Sequence, residues 1–445
     1  MDDTVFALSS GQGRAGIAVI RISGSGAAQA LMELAGTGLP PARKAVVRGL
    51  TEPRTGEHLD QALVLWLPGP GTVTGEDMAE LHVHGSRAVV AGVLEALGHL
   101  DGLRLAEPGE FTSQAFANGR MDLTQVEGLA DLIDAETAGQ RRLALAQTEG
   151  ALAARCSDWK EHLVKALALV EAEIDFSDEE LPDGLSEQAV GMISRVRSEM
   201  EQVLQSANAG EVMRDGVQVA ILGAPNVGKS SLMNRLARRE AAIVSDVSGT
   251  TRDIIEVRLD LGGIPVVLAD TAGLRETDDP VEREGIARAR ARAAAADIAF
   301  WVCDLTNPEA PQWPPGLEAA RRLVVGNKAD LSVGPSGVSC DLVLSAATGE
   351  GADALEDWLA SVAQDLAGGA SASALVGRAR QATALHDAVN ALERALSEAA
   401  DEAGGEAALV SEEMRIALRA LGRLVGTVDV EDVLDVVFRD FCIGK

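Results

Sequence analysis

The nine residues GAPNVGKSS, at positions 223–231, restrict the possible folds of this chain more than any other stretch. They satisfy the phosphate-loop pattern G-x-x-x-x-G-K-[ST] at Gly223, Gly228, Lys229 and Ser230. An apolar run precedes the loop. A helix-like run, SSLMNRLARR, begins at Ser230 inside the motif and continues beyond it. This order predicts a strand, a loop whose N–H groups surround phosphate oxygens, and a helix whose N-terminus adds a positive dipole. Lys229 would neutralise phosphate charge, and the Ser230 hydroxyl would bind Mg²⁺.

Strand-like and helix-like runs alternate from Gly216 to about Ala363. The strand-like runs are VQVAILG, IPVVLAD, IAFWVCDL and RRLVVGN. Such alternation is typical of a parallel sheet covered by helices on both faces. Together with the phosphate loop, it predicts a Ras-like P-loop domain at residues 214–368.

Long amphipathic helices flank this domain. Apolar residues recur at three- and four-residue spacing in residues 119–213 and again in residues 369–445, as in a helical bundle. One expected buried stripe consists of Leu163, Leu167, Val170 and Ile174. Residues 1–118 instead mix strand-like and helix-like runs. The sequence therefore predicts a multi-domain α/β and all-α protein, in which the P-loop domain is inserted into a helical domain and an α+β domain precedes both.

Four further motifs follow the phosphate loop in the order of the G motifs of translation-factor-like GTPases, which they resemble. GTTRD offers Thr251 to the Mg²⁺ shell, and DTAG offers Asp270 to that shell and the Gly273 N–H to the γ-phosphate. NKAD offers the Asp330 carboxylate to N1–H and N2–H₂ of guanine, a pattern that adenine lacks. SAATGEG, from Ser345, can supply backbone N–H groups to guanine O6. The residues expected to contact GTP are Asn226, Val227, Gly228, Lys229, Ser230, Ser231, Ser245, Asp246, Val247, Ser248, Gly249, Thr250, Thr251, Asp270, Thr271, Ala272, Gly273, Asn327, Lys328, Asp330, Ser345, Ala346 and Ala347.

The residue that would position the attacking water is not a glutamine. Ras-like enzymes use a Gln directly after DTAG, whereas this chain has Leu274, which cannot hydrogen-bond to water. Several carboxylates follow in LRETDDPVEREGIARA: Glu276, Asp278, Asp279, Glu282 and Glu284. Arg252 and Arg275 lie nearby, but they suit surface pairing as well as a finger role.

Asn226, inside the phosphate loop, offers a carboxamide oxygen beside the nucleotide. Carbonyl oxygens from AAIVSDVSGTT would complete an oxygen cage, which K⁺ favours. A cation there would put positive charge where an arginine finger acts.

The net charge of -29 repels phosphate backbones, so action on nucleic acid requires a basic partner or a local basic patch. Four scattered cysteines fit a reducing cytoplasm. No apolar stretch approaches the ~20 residues needed to cross a bilayer. The segment MDDTVFALSS lacks the features of a secretory signal. We therefore expect a cytoplasmic protein without membrane contacts.

Several longer stretches resemble the MnmE (TrmE) family of tRNA modification GTPases. They are IRISG, TGEDMAELHVHG, EPGEFTSQAFANGRMDLTQVEGLADLIDAET, IDFSDEE, GAPNVGKSSLMN, IVSDVSGTTRD, DTAGLRE, VEREGI and the final FCIGK. The resemblance implies a homodimer that hydrolyses GTP through K⁺-dependent association of its G domains. It also implies a flavoprotein partner, MnmG (GidA), which carries FAD. Together they would place a carboxymethylaminomethyl or aminomethyl-type group on C5 of the tRNA wobble uridine. The one-carbon unit would come from a 5-formyl or 5,10-methylene tetrahydrofolate bound by the N-terminal domain, which would also dimerise.

The resemblance implies roles for individual residues. Asn226, Ser245, Val247 and Thr250 would surround K⁺, and Ser230 and Thr251 would bind Mg²⁺. Glu282 would orient the attacking water through a second water. The residues that would contact folate are Arg21, Glu80, Arg120 and Lys445. Arg120 stands where the family often has Lys, so its contact would have a different geometry.

Cys442 permits several interpretations. Prenylation fits badly, because the final residue is Lys445 and no basic run precedes the cysteine. The run DVEDVLDVVFRDFC predicts a helix whose packing would hold this segment down. By resemblance the segment faces the folate pocket, across a dimer interface. There the thiolate would add to C6 of uracil, assist one-carbon transfer, or serve only for positioning.

Other candidates and other functions are weaker. His82 and His84 share a strand face but lack a third metal ligand at useful spacing. Cys303 and Cys340 are expected to be small core residues, and Cys156 to be inert. A ribosome-assembly GTPase that only binds RNA would need a basic module, and a membrane-coat GTPase would need a lipid-binding element; neither is visible in the sequence.

Overall fold

The computed structural model describes most of the chain. The described residues are 3–36, 38–175, 185–239, 241–243, 256–270, 296–313, 317, 320–332, 338–368, 374–400, 407–428, 434, 437–438, 441 and 443–444. They form two compact units. The first comprises Met1–Ala130 and Gly422–Lys445, and the second comprises Asp131–Leu421.

A six-stranded sheet forms the centre of the first unit, with the order β3-β4-β5-β2-β1-β6. Its strands are β1 (Thr4–Leu8), β2 (Ala15–Ser23), β3 (Val46–Thr51), β4 (His58–Leu67), β5 (Met78–Gly85) and β6 (Leu103–Leu105). All neighbours are antiparallel except β1 and β6. Helices α1 (Ala27–Ala35) and α2 (Arg87–Gly98) pack on one face, as their apolar spacing predicts. Ser86 caps α2 by accepting a hydrogen bond from the Val89 N–H.

The other face of this sheet carries both polar and apolar side chains. Val47 and Leu63 are paired across β3 and β4, and they are 57% and 37% exposed. Arg21 and Glu80 are paired across β2 and β5. Because directly paired residues and residues two apart share a face, all four side chains lie on this side of the sheet.

The FCIGK segment lies against the same unit. Ile443 forms a β-bridge with Pro108, and Phe441 is buried. Gly444 has φ +97°, and a Cβ there would lie 2.1 Å from the Leu8 carbonyl oxygen, so only glycine fits. The described part of the segment is therefore held by this chain's own first strand and by the loop before α3 (Glu110–Ala117).

A seven-stranded sheet forms the centre of the second unit, with the order β13-β12-β11-β7-β10-β9-β8. Its strands are β7 (Val217–Leu222), β8 (Ala242–Ile243), β9 (Glu256–Leu261), β10 (Ile264–Asp270), β11 (Ile298–Asp304), β12 (Arg321–Asn327) and β13 (Leu342–Val343). The four runs predicted as parallel strands are β7, β10, β11 and β12, and this prediction is confirmed. The sheet also has an antiparallel edge of β9 and β8 that the sequence analysis did not predict.

The other helices of the described part of the chain lie between residues 123 and 425. They are α4 (Leu123–Asp134), α5 (Ala138–Thr148), α6 (Ala151–Asp175), α7 (Leu185–Gln205), α8 (Ala207–Asp215), α9 (Lys229–Leu236), α10 (Ala352–Leu366), α11 (Ala379–Ala399) and α12 (Ala407–Val425). A 3-10 helix spans Ala329–Leu331. Within the described ranges, no helix combines the length and apolar character that crossing a bilayer requires.

Helices from before and after the P-loop domain pack together, as expected for an inserted domain. Helix α11 lies against α7, and the Arg378 guanidinium contacts the Asp131 carboxylate at 2.6 Å. Gln147 in α5 donates from Nε2 to the Leu375 carbonyl at 3.1 Å. The P-loop domain also contacts this helical layer, where Arg258 in β9 meets the Glu136 carboxylate at 3.0 Å.

The predicted stripe along α6 is wrong at its C-terminal end. Leu163 and Val170 are buried as predicted, but Leu167 is only half-buried and Ile174 is 39% exposed. The buried row instead includes Trp159 and Ala166. The buried row shares Leu163 and Val170 with the predicted stripe but contains Ala166 in place of Leu167. Ile174 falls in the last turn of the helix, where it has fewer neighbours.

Candidate functional site

The phosphate loop joins β7 to α9 through three residues with positive φ. Gly223 has φ +142°, Asn226 φ +65° and Gly228 φ +99°. A Cβ at Gly223 would lie 2.3 Å from the Val302 carbonyl oxygen, so the loop turns directly over β11. Leu232, Met233 and Leu236 are buried and anchor α9 to the sheet. The loop is thereby fixed at the helix N-terminus, where backbone N–H groups favour anions.

Lys229 places its ammonium group within the loop. Its Nζ donates to the carbonyl oxygens of Gly223 at 2.8 Å and Ala224 at 2.9 Å. These contacts hold a positive charge at the position where the motif requires a counter-charge for phosphates.

Asn327 connects the phosphate loop to the guanine-recognition motifs. Its side chain is only 2% exposed. Nδ2 donates to the Val227 carbonyl at 2.8 Å, and Oδ1 accepts from the Ala346 N–H at 2.9 Å. Gly228 must lack a side chain here, because a Cβ would lie 2.2 Å from Asn327 Nδ2. One amide therefore positions both the loop around the phosphates and the SAATG loop.

The remaining side chains of the guanine motifs are also held in place. Ser345 Oγ donates to the Asp330 carboxylate, and the Thr348 N–H donates to Ser345 Oγ at 3.1 Å. Lys328 Nζ contacts the Asp304 carboxylate at 2.6 Å. Burial opposes ionisation of Asp304, but hydrogen bonds from Lys328 and Thr306 outweigh it and lower the pKa of this carboxyl. Asp304 is therefore a stable counter-ion for Lys328.

Arg235 is a supporting residue that the sequence analysis missed. It lies in the last turn of α9 and donates from Nε to the Ala346 carbonyl at 3.1 Å, and from Nη2 to the Ala347 carbonyl. A basic residue at a helix C-terminus is commonly explained by the helix dipole alone, so its position gave no specific signal.

A cavity of about 220 Å³ lies beside the loop. Its lining includes Asn226, Cys303, Asp304, Glu309 and Lys328. The cavity thus extends from Asn226, the residue predicted to bind K⁺, to the end of β11.

Several predicted residues lie outside the described part of the chain. They are Ser245, Asp246, Val247, Ser248, Gly249, Thr250, Thr251, Thr271, Ala272, Gly273, Glu282, Cys442 and Lys445. The stretch LRETDDPVEREGIARA directly after DTAG is also outside it, as are IDFSDEE beyond Asp175 and most of the run DVEDVLDVVFRD directly before FCIGK. Asp270 ends β10, but its side chain is not among the described groups.

Three of the four residues expected to contact folate are described in the first unit. Arg21 donates from Nε and Nη2 to Glu80 Oε1 at 3.2 and 3.0 Å, and its guanidinium lies 5.7 Å from the centre of the Phe111 ring. Arg120 follows α3, and its Cγ lies 3.2 Å from where a Cβ at Gly75 would be. The structure therefore joins Arg21 to Glu80 and places Arg120 beside the loop before β5.

The two histidines singled out in the sequence each have an acidic neighbour. His82 Nε2 lies 3.4 Å from Glu80 Oε2, and His84 Nδ1 lies 2.8 Å from Asp60 Oδ1. Among the described residues, no group of three or more His, Cys, Asp or Glu side chains is arranged to hold a metal ion.

The chain has a P-loop that is followed by the NKAD and SAATG loops. The domain that carries them is inserted into a helical domain, and an α/β domain precedes both in the sequence. These features define the protein as a P-loop GTPase. Two family models match it: the MnmE helical domain over residues 123–442 and the N-terminus of the GTP-binding protein TrmE over residues 4–120. The chain belongs to the MnmE family of tRNA modification GTPases. It is therefore a GTP-binding GTPase that acts in tRNA modification.

Similar proteins span the full length of the chain. The tRNA modification GTPase MnmE of Parvibaculum lavamentivorans is 52% identical, covering 100% of both chains. The MnmE proteins of Rhodospirillum rubrum and Paramagnetospirillum magneticum are 51% and 50% identical over 100% of this chain and 99% and 100% of their own. Among solved structures, the G domain of the T. maritima FeoB iron transporter is 25% identical, covers 33% of this chain and 99% of that chain, and has a TM-score of 0.25.

Proposed function

We propose that this GTPase couples GTP hydrolysis to K⁺-dependent association of two G domains. With the flavoprotein MnmG (GidA) as partner, it adds a carboxymethylaminomethyl or aminomethyl-type group to C5 of the wobble uridine of certain tRNAs. The observation that carries the nucleotide part is the Asn327 amide, which bridges the phosphate loop and the SAATG loop. FAD would be held by the partner. The protein would act on tRNA in the cytoplasm, the location expected from the sequence.

The described donors fit a nucleotide with its metal ions. Lys229 supplies positive charge inside the loop, and Ser230 offers a hydroxyl in the first turn of α9. Ser230 and Thr251 would hold Mg²⁺, which neutralises β- and γ-phosphate charge when bound. Asn226 lines the cavity beside the loop, and it would hold K⁺ together with Ser245, Val247 and Thr250. Glu282 would orient the attacking water.

The Arg21–Glu80 pair supports folate recognition in the N-terminal domain. Both side chains are mostly but not fully buried, at 22% and 18% exposed, so they remain accessible to a ligand. A carboxylate that accepts and a guanidinium that donates match the polar edge of a pterin ring. Arg120 and Lys445 would complete the contacts. Gly444, in the FCIGK segment, lies against Leu8, and Leu8 is paired with Ile20, the residue before Arg21 in β2.

A second copy of the chain is the occupant we propose for the open sheet face of the N-terminal domain. Val47 and Leu63 expose apolar surface there, next to the row that contains Arg21 and Glu80. Burying that surface in a homodimer would gain free energy by the hydrophobic effect. Cys442 would then act at the folate site as a nucleophile or for positioning.

The net charge of -29 supports a partner that supplies the basic surface for tRNA. This part of the proposal predicts weak tRNA binding by the isolated protein. Binding by the isolated protein as tight as that of the complex, at the same salt, would refute it.

Mass spectrometry of wobble uridines in cells lacking this chain tests the proposed function. We expect the C5 modification to disappear and to return when the wild-type chain is supplied. Cys442→Ser should fail to restore the modification if the thiol acts in the chemistry. Full modification in cells that lack the chain would refute the proposed function.

A further inference from the structure

Two cysteines that are distant in sequence meet next to the guanine site. Cys303 Sγ lies 3.4 Å from Cys340 Sγ. Cys303 is 2% exposed, whereas Cys340 is partly exposed. The two thiols therefore form a contacting pair of which one member is accessible from solvent.

Strand pairing explains how the two thiols meet. Cys303 in β11 is opposite Gly326 in β12, and Cys340 lies just before β13, which pairs with the other side of β12. Gly326 leaves the space between them, because a Cβ there would lie 3.0 Å from Cys340 Sγ and 2.8 Å from the Leu305 side chain. The thiols thus approach each other over a glycine.

The pair is directly connected to residues that position the nucleotide. Asp304, the counter-ion of Lys328, follows Cys303, and Asn327 follows Gly326. Cys303 also lines the cavity beside the phosphate loop. Cys340 lies in the segment that leads to Ser345, whose hydroxyl contacts Asp330.

We propose that Cys303 and Cys340 form a reversible disulfide when a low-molecular-weight disulfide such as oxidised glutathione is the oxidant, and that the bond weakens guanine-nucleotide binding. The Cys340 thiolate attacks one glutathione sulfur, and reduced glutathione leaves with the electron pair. The Cys303 thiolate then attacks Cys340 Sγ and releases the second glutathione. Two thiols lose two protons and two electrons, and one glutathione disulfide becomes two glutathione thiols.

The order of attack follows from the surroundings of the two sulfurs. Burial, and then the hydrogen bond with Cys340, raises the pKa of the Cys303 thiol to about 12. Cys340 is more exposed, so it meets the oxidant first, and Cys303 reacts with it from within the fold.

The expected effect on nucleotide binding depends on whether the backbone around Cys303 or the backbone around Cys340 moves when the disulfide forms. A disulfide requires the sulfurs to approach to about 2.05 Å, more than 1 Å closer than they lie now. Cys303 belongs to a central strand hydrogen-bonded to β7 and β12, whereas Cys340 precedes a two-residue edge strand. The movement therefore falls on the Cys340 segment and, through it, on Ser345. This second half of the inference rests on the guanine site proposed above.

The test uses the full-length protein equilibrated in glutathione buffers of increasing oxidised fraction. Peptide mapping without reduction identifies the Cys303–Cys340 link, and calorimetry measures GDP binding in the reduced, oxidised and re-reduced protein. We expect the link to form and GDP binding to weaken by about five-fold or more, which is the effect of impairing one hydrogen bond to the base. Both changes should reverse when dithiothreitol is added.

Variants separate the pair from the other thiols. Cys340→Ser should abolish the link and the loss of affinity, whereas Cys156→Ala, which changes a buried cysteine of α6, should keep both. Absence of the cross-linked peptide, glutathione attached to Cys340 alone, or a link that leaves GDP affinity unchanged would overturn the inference. Failure of the reduced wild-type protein to bind GDP would instead refute the guanine site itself.

Discussion

Replacing Asn327 with alanine removes two buried hydrogen bonds that join separate loops. The Val227 carbonyl loses its 2.8 Å donor, and the Ala346 N–H loses its 2.9 Å acceptor. A buried polar group left without a partner costs about 1–3 kcal/mol. Because the two loops must be ordered before GDP can bind, part of this cost appears as weaker binding. We expect a loss of about 2–4 kcal/mol, which corresponds to roughly 30- to 1,000-fold in Kd.

Two measurements test this expectation. Calorimetry gives the Kd for GDP, and hydrogen exchange in the absence of nucleotide reports whether the Ala346 amide loses protection. Gln218→Ala is a matched control, because its Nε2 donates to the Asp215 and Gly216 carbonyls at the opposite end of β7. The control should leave both readings near wild type. A Kd for Asn327→Ala within about three-fold of wild type, about the effect of half a hydrogen bond, would show that the amide does not organise the site.

Four further predictions follow from the site. Asp330→Asn should reverse the donor and acceptor pattern, so competition assays should show GTP affinity lost and xanthosine triphosphate affinity gained; retained guanine preference would contradict the Asp330 assignment. Arg21→Ala should weaken folate binding by about ten-fold or more, measured by fluorescence titration, because a charge-assisted contact is lost; equal affinity would exclude Arg21 from the pocket. Replacing K⁺ with Na⁺ should slow GTP hydrolysis by at least about ten-fold, since an oxygen cage that favours K⁺ binds Na⁺ poorly and the positive charge near Asn226 would then be missing; equal rates would refute the cage. Glu282→Ala should lower kcat by about 100-fold while the Kd for GTP changes little, a result checked by single-turnover assay; a matching change in Kd would indicate a binding role.

The sequence was informative where a single local pattern determines structure. Strands β7, β10, β11 and β12 each contain a run of apolar residues, as expected for strands buried on both faces, and they were recognised. Strand β9 alternates exposed and buried residues, a pattern typical of an antiparallel edge, but it is short and rich in charge. The motif order also predicted the GTPase and its family correctly.

The connections between motifs were not predictable in the same way. NKAD marks Asn327 as a site residue, yet its bond to Val227 joins residues 100 positions apart. Likewise, the approach of Cys303 to Cys340 depends on the register of β11, β12 and β13, which no local pattern encodes. The end of the α6 stripe, at Ile174, depended on which neighbours the last turn meets.

The packing of the FCIGK segment against β1 has a consequence for how the protein is made. Ribosomes add about 5–20 residues per second, so the first strand waits roughly 20–90 s for the segment around Ile443 to emerge. Until then, the surface of the N-terminal domain beneath that segment remains uncovered during translation. Prematurely terminated products would keep it uncovered permanently, which would mark them for proteases and chaperones.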